Sequence, residues 1–199
     1  MGQKLQKEFY LRANVLEIAR DLLGKTLVTK IGNNITSGII VETEAYRPDD
    51  RASHAYLRKK TKRNSVMFCE GGIAYVFINY GIHYLFNVVT NLEGEPDAIL
   101  VRGLEPVSGI ETMMARRNKS VPARITSGPG ALSQAMGIDL KLNGINLRGN
   151  TVWIEDNKSL NSNKMDIISS TRIGIDYAGK HASLPWRFYI RDNVWISKT

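Results

Sequence analysis

Residues 38–46 read GIIVETEAY, a run whose β-branched residues call for a strand and whose two glutamates keep it from being an ordinary one. Successive side chains in a strand face opposite ways, so Ile39, Val41, Thr43 and Ala45 share one face while Glu42, Glu44 and Tyr46 share the other. The first face requires a core to cover it. A buried carboxylate is costly unless it is paired or hydrogen-bonded, so the second face is expected to line a cleft. With Tyr46 beside the acids and His54 following in a basic stretch, that cleft has the make-up of a base-handling catalytic pocket.

The flanking segments point to a sheet rich in hairpins. Residues 26–31 and 38–46 read as two strands around Gly32-Asn33-Asn34, and residues 73–80 and 82–89 as two more around Gly81, with Tyr80, Gly81 and Ile82 at an exposed tip. Residues 98–104 form a further strand, after which Ser108 is expected to cap a helix bearing Ile110, Met113 and Met114. A helix over 15–23 has Asn14 as its cap and Gly24 as its stop. Ser127-Gly128-Pro129 opens another, with Ser127 as N-cap, Leu132, Ala135 and Met136 on one face and Gly137 at its end. Short strands are expected over 151–155 and 187–191, with residues 156–164 an exposed loop. Helices and strands are mixed without regular alternation, and no phosphate-binding glycine motif is present. The expected fold is α+β: a single compact domain over 1–199 with a curved, largely antiparallel sheet, surrounding helices and a protruding hairpin.

Charge and cysteine content narrow the partners. With 27 Lys and Arg against 19 Asp and Glu the net charge is +8, which favours a polyanion. A lone Cys69 excludes an internal disulfide framework. His54, His83 and His181 have no zinc-type spacing, so no metal is expected. The first residues, MGQKLQKEFY, lack the apolar run of a signal peptide, no later stretch is long enough to cross a bilayer, and Gln6 stands where a myristoylation signal needs Ser or Thr. An intracellular protein is expected, without heptads or a spare apolar stripe, and therefore monomeric.

VETEAY, His54, Lys62-Arg63-Asn64 with Met67-Phe68, residues 75–81 (YVFINYG), Leu104-Glu105-Pro106, Ser127-Gly128-Pro129 and Arg187-Phe188-Tyr189 occur in one order along nearly the whole chain. Together they strongly resemble the alkyladenine, or 3-methyladenine, DNA glycosylases of the mammalian type. Any one alone, such as SGP before a helix, is a weak signal.

The resemblance implies an enzyme of DNA base-excision repair that extrudes an alkylated or deaminated purine from duplex DNA and hydrolyses its N-glycosidic bond with a glutamate-activated water, without metal or organic cofactor. Extrusion has to come first, because a base inside a duplex cannot meet a carboxylate. By the same match Glu44 is the general base and Arg102 holds the reacting nucleotide's phosphate behind the active-site water, while Glu42 is structural. Tyr46, His54 and Phe77 sandwich the base, and Asn87 contests the edge of normal guanine. Phe77 stands where mammalian members carry tyrosine, so stacking persists and a hydroxyl contact is lost. Tyr80 is the wedge that fills the gap left in the duplex. Arg63, Arg117, Ser127 and Gly128 hold the DNA backbone, with Arg58, Lys59, Lys60, Lys62 and Arg116 as further basic candidates. Read singly, each residue has a plainer explanation: Glu44 a salt-bridged strand acid, Tyr46 and Phe77 core, Asn87 a backbone partner, Arg102 a strand-end ion pair with Glu105. The competing functions are a non-catalytic lesion binder and an RNA-binding domain stacking bases on Tyr75, Phe77 and Tyr80. The site of action would be the cytoplasm with the nucleoid in a bacterium, or the nucleus in a eukaryote.

Overall fold

The chain opens with a two-residue strand, β1 (Gln3–Lys4), and two helices, α1 (Lys7–Tyr10) and α2 (Val15–Asp21). The structure is a computed structural model, and it describes residues 2–156 and 165–197. Asn14 caps α2 by accepting the amides of Leu16 and Glu17 through its side chain. The helix ends at Asp21, two residues short of the periodic pattern, and a turn through Gly24, at a φ of +79°, leads to the first hairpin. Val15, Ile18, Ala19, Leu22 and Leu23 are fully buried, each aliphatic contributing on the order of 1.5–3 kcal/mol by leaving water.

β2 (Thr26–Ile31) and β3 (Asn34–Tyr46) pair antiparallel from Thr26 opposite Ile39 to Ile31 opposite Asn34, so the turn is only Gly32-Asn33 and the second strand starts four residues earlier than its composition indicates. β4 (Ala74–Asn79) and β5 (His83–Thr90) form the second hairpin, and β6 (Asp97–Ser108) pairs with both β5 and β3. β6 runs through Glu105 and Pro106, so Ser108 lies in the strand. Gly109, at a φ of +72°, takes the capping position of α3 (Ile110–Arg117). A side chain there would press on the Ile35 carbonyl, which excludes a serine-type cap. α4 (Pro129–Met136) follows, then β7 (Val152–Asp156), β8 (Ile167–Ser170), which the sequence reading missed, and β9 (Arg187–Ile190). The expected loop over 156–164 has Asp156 in β7, and its remainder lies outside the described residues.

All described strand pairs are antiparallel, in the order β1-β7-β2-β3-β6-β5-β4, with β9 joining β3 and β8 joining β9. β3 is served along one edge by β6, and along the other by β2 up to Ile39 and then by β9 from Glu42 to Glu44. One long strand with two successive neighbours bends the sheet around the main core of α2, α3, α4 and the inward side chains of β3, β5 and β6. This is the curved α+β domain the sequence predicts.

Candidate active site

Two offset irregularities in the β3–β6 ladder set the site. Ile40 pairs with Leu104 and Glu42 with Gly103, leaving Val41 unpaired; Glu42 pairs with Gly103 and Thr43 with Val101, leaving Arg102 unpaired. Each is a β-bulge, which re-aims a side chain at the cost of local pairing. The bulge at Val41 breaks the strict alternation: Ile40 joins the main core with Ala45, whereas Ile39 is only half-buried. Thr43 stays on the core face and donates its hydroxyl to the Ala19 carbonyl at 2.9 Å. The bulge at Arg102 turns its guanidinium to both glutamates, with Nη1 3.3 Å from Glu44 Oε2 and Nε 3.4 Å from Glu42 Oε1. The expected pairing with Glu105 is thereby corrected, since Glu105 instead accepts from Asn193.

The two acids are both inaccessible to solvent but differently held. Glu42 takes Arg187 Nε at 2.7 Å, the Ser197 amide at 2.6 Å and the Ser197 hydroxyl at 2.9 Å, so its oxygens are committed to the carboxyl-terminal segment. Gly103 permits that approach, because any side chain there would collide with the Trp195 carbonyl. Glu44 accepts Tyr46 Oη–H at 2.8 Å and Arg102 on Oε2, and the Ile173 amide at 2.8 Å on Oε1. A carboxylate has about four acceptor positions, so three donors fix the group and leave one free.

Tyr46, Arg102 and Ile173, all three donors to Glu44, line a cavity of about 270 Å³, at the small end of ligand pockets. The same cavity is lined by His54, Phe77, Tyr80 and Asn87, so seven residues from five segments converge. Glu44 does not itself form the surface; its carboxylate sits directly behind it. His54 and Phe77 are in edge contact, their ring centroids 4.5 Å apart. They therefore form one wall rather than two halves of a sandwich. Tyr46 is a separate wall, with the Arg172 guanidinium 4.8 Å from its ring centroid. Burial first, and then the neighbouring Glu44 charge, raise the Tyr46 hydroxyl well above the ordinary tyrosine range, so it remains a donor. Asn87 is buried and its amide nitrogen is spent on the carbonyls of Tyr75 (3.0 Å) and Leu85 (3.4 Å), the plainer of its two readings, although it also faces the cavity.

The His54 wall is built from below. Asn64, nearly inaccessible, donates to the His54 carbonyl at 2.8 Å and the Lys59 carbonyl at 2.9 Å while accepting the Thr61 amide at 2.6 Å. Tyr75 lies in a small second core with Ala55, Met67, Val89 and Ala98, and its hydroxyl is 2.9 Å from His54 Nδ1. The concave surroundings and then the Arg63 charge push the His54 pKa down to about 4; the ring keeps an open face.

At the hairpin tip Tyr80 is 87% exposed with a φ of +49°, followed by Gly81 at +72° and Ile82, which is 72% exposed. A bulky residue in the left-handed region is strained, and no packing compensates it. Arg63 lies beside the cavity mouth, 5.1 Å from the Phe77 ring centroid, and contacts the Ile78 carbonyl.

The start of α4 departs from expectation. No side chain caps it, and Gly128 rather than Ser127 holds the capping position. The Gly128 amide is donated to the Arg102 carbonyl at 3.0 Å, supporting the bulge instead of facing outward. Ser127 Oγ is buried without a partner among the described residues. Ser127 and Gly128 lie outside the cavity, and Pro129 is the first residue of this segment to reach it. Arg117 is also remote, bonded to Gln134 on α4. Arg116 braces α4 through the Ala135 carbonyl, and Arg58 is paired in a fork with Glu95; neither is a free cation.

One wall was not foreseen. Residues 172–177 bring Ile173, Gly174, Ile175 and Tyr177 to the cavity. Arg172 anchors them: fully buried, it forks onto Asp50 through Nη1 and Nη2 and donates to the carbonyls of Ala45 (2.9 Å) and His181 (3.2 Å). The available signal is the glycine-bounded RIGIDYAG run, with Gly174 and Gly179 both at positive φ.

Comparison with known proteins gives one family. The family described as Methylpurine-DNA glycosylase (MPG) matches residues 8–194. Three bacterial proteins, each named "Putative 3-methyladenine DNA glycosylase", are similar over nearly their whole length. That of Francisella tularensis (strain SCHU S4 / Schu 4) is 46% identical, covering 96% of this chain and 97% of its own. Those of Carboxydothermus hydrogenoformans and Desulfitobacterium hafniense are 47% and 43% identical, each covering 98% of both chains.

Proposed function

The chain belongs to the methylpurine-DNA glycosylase family, and from that premise we propose that it draws a damaged purine into the cavity behind Tyr80 and hydrolyses the glycosidic bond with a water oriented by Glu44. It is a DNA glycosylase of base-excision repair, a hydrolase of N-glycosyl bonds acting on DNA. The observation that carries the mechanism is the posture of Glu44: a carboxylate out of solvent, fixed by three cavity residues, with one acceptor position unspent.

Departure of the base leaves the sugar oxocarbenium-like, and a carboxylate suits that transition state twice, by taking the water's proton and by stabilising positive charge. Arg102 balances the buried acid and offers its remaining N–H groups to the nucleotide's phosphate. The base stacks between Tyr46 and the joined His54–Phe77 wall, where a cationic alkylpurine gains about 0.5–2 kcal/mol over a neutral one from the ring faces. Asn87 closes the pocket against normal guanine. Arg63, Arg117 and the start of α4 at Ser127 and Gly128 contribute contacts to the DNA backbone. The enzyme works as a monomer on duplex DNA, in the compartment that holds the chromosome.

Incubation with duplexes carrying 3-methyladenine, 7-methylguanine or hypoxanthine is expected to leave abasic sites without a borohydride-trapped protein–DNA adduct. Binding without abasic sites, or a trapped adduct, rules the water mechanism out. Tyr80→Ala is expected to lower single-turnover excision roughly tenfold or more, since the wedge offsets an unstacking cost of a few kcal/mol. Thermal stability should be unchanged or raised, because the substitution relieves a strained position that packs on nothing. A loss of stability with full excision would remove the wedge assignment.

A further inference from the structure

His54 is the cavity residue whose hydrogen-bonding character its neighbours decide. Its Nδ1 lies 2.9 Å from Tyr75 Oη, and Tyr75 is buried. A phenol has one hydrogen to give and accepts through its lone pairs. The same oxygen interacts with Arg63, a pure donor, so the phenol hydrogen finds its acceptor, among the described residues, at His54 Nδ1. The reverse arrangement, with Nδ1–H donating, would strand the phenol hydrogen in a buried site, which is the costly outcome. Burial raises the Tyr75 pKa to about 12, so that hydrogen is retained at neutral pH. The low pKa of His54, about 4, keeps the imidazole neutral, with a single N–H. Because Nδ1 is the acceptor, that hydrogen sits on Nε2, on the edge of the ring away from Tyr75.

We propose that Arg63 and Tyr75 form a relay that locks His54 in its Nε2–H tautomer, making the cavity wall a hydrogen-bond donor that selects purines with an exocyclic oxygen, of the hypoxanthine and 7-methylguanine class. Tyr75 is thus a positioning residue that acts through His54. The inference rests on the glycosylase reading above and deepens it, for nothing in stacking alone distinguishes an oxygen from an amino group on the purine. A pocket that supplies a hydrogen bond rejects the analogue unable to receive it.

Tyr75→Phe removes the hydroxyl and no other atom. In the parent protein, nitrogen-15 NMR of the imidazole is expected to show the proton on Nε2, and in Tyr75→Phe a mixture of tautomers. Single-turnover excision of hypoxanthine by the variant should fall roughly tenfold, the worth of one well-made hydrogen bond, while excision of 3-methyladenine holds within about twofold or rises. A parent ring protonated on Nδ1 overturns the relay, as does an equal fall for both lesions, the mark of disturbed packing. Excision of neither lesion by the parent overturns the selectivity together with the glycosylase reading. That outcome is told apart from failure of the relay alone, because the tautomer is read without substrate.

Discussion

Glu44→Gln is expected to lower single-turnover excision by on the order of a thousandfold, the middle to upper part of the range for loss of a general base, while lesion-duplex affinity by fluorescence anisotropy changes only a few-fold. The amide keeps the shape of the group but not its charge or its basicity. One of its two polar atoms becomes a donor, and three donors already converge on this position from Tyr46, Arg102 and Ile173. Binding is expected to persist because the walls, the wedge and the basic surface are untouched. An active Glu44→Gln enzyme would move the base elsewhere, and Glu42 is the poorer alternative: Arg187, Arg102 and Ser197 occupy it, and no cavity residue other than Arg102 touches it.

Asp50→Ala is expected to destabilise the fold by about 3–5 kcal/mol, the usual consequence of stranding one partner of a buried ion pair. For a chain of this size that corresponds to a fall in melting temperature of roughly 10 °C, measurable by circular dichroism. Asp50 accepts the Ala52 amide as well as the Arg172 fork, so it ties the wall before His54 to the wall that delivers the Ile173 amide to Glu44. Excision should therefore drop even well below the new melting temperature. A shift of less than about 1 kcal/mol would mean that the pair adds only what an exposed one does.

What could be read from the sequence was what is local. Asn14 before an amphipathic run, Gly32-Asn33 between β-branched stretches and Tyr80-Gly81 at a hairpin tip each carry their own turn or cap chemistry, and each stands where expected. The two-residue period placed Glu42, Glu44 and Tyr46 on a common face, and the motif resemblance gathered Tyr46, His54, Phe77, Tyr80, Asn87 and Arg102, which share one cavity. Hidden features are those defined by a partner far along the chain. Val41 and Arg102 are bulges only relative to each other's strands, so alternation alone misplaced Ile39 and Ile40 and paired Arg102 with its neighbour Glu105. Arg172 meets Asp50 across 122 positions, and nothing near either residue announces the other. Ser108 and Ser127 looked like caps by composition, but backbone crowding at Ile35 and the Arg102 carbonyl gave those places to Gly109 and Gly128.

The paired insertions at Val41 and Arg102 behave like two compensating frameshifts. Loss of either one alone would throw every later side chain out of phase with its opposite number, turning catalytic groups inward and aliphatic ones toward DNA. The two central strands can therefore change length only in concert, whereas the hairpin tip and the segment after Arg172 lie outside that constraint. Divergence in lesion preference among related chains has its open ground there, on a chassis whose phase is fixed.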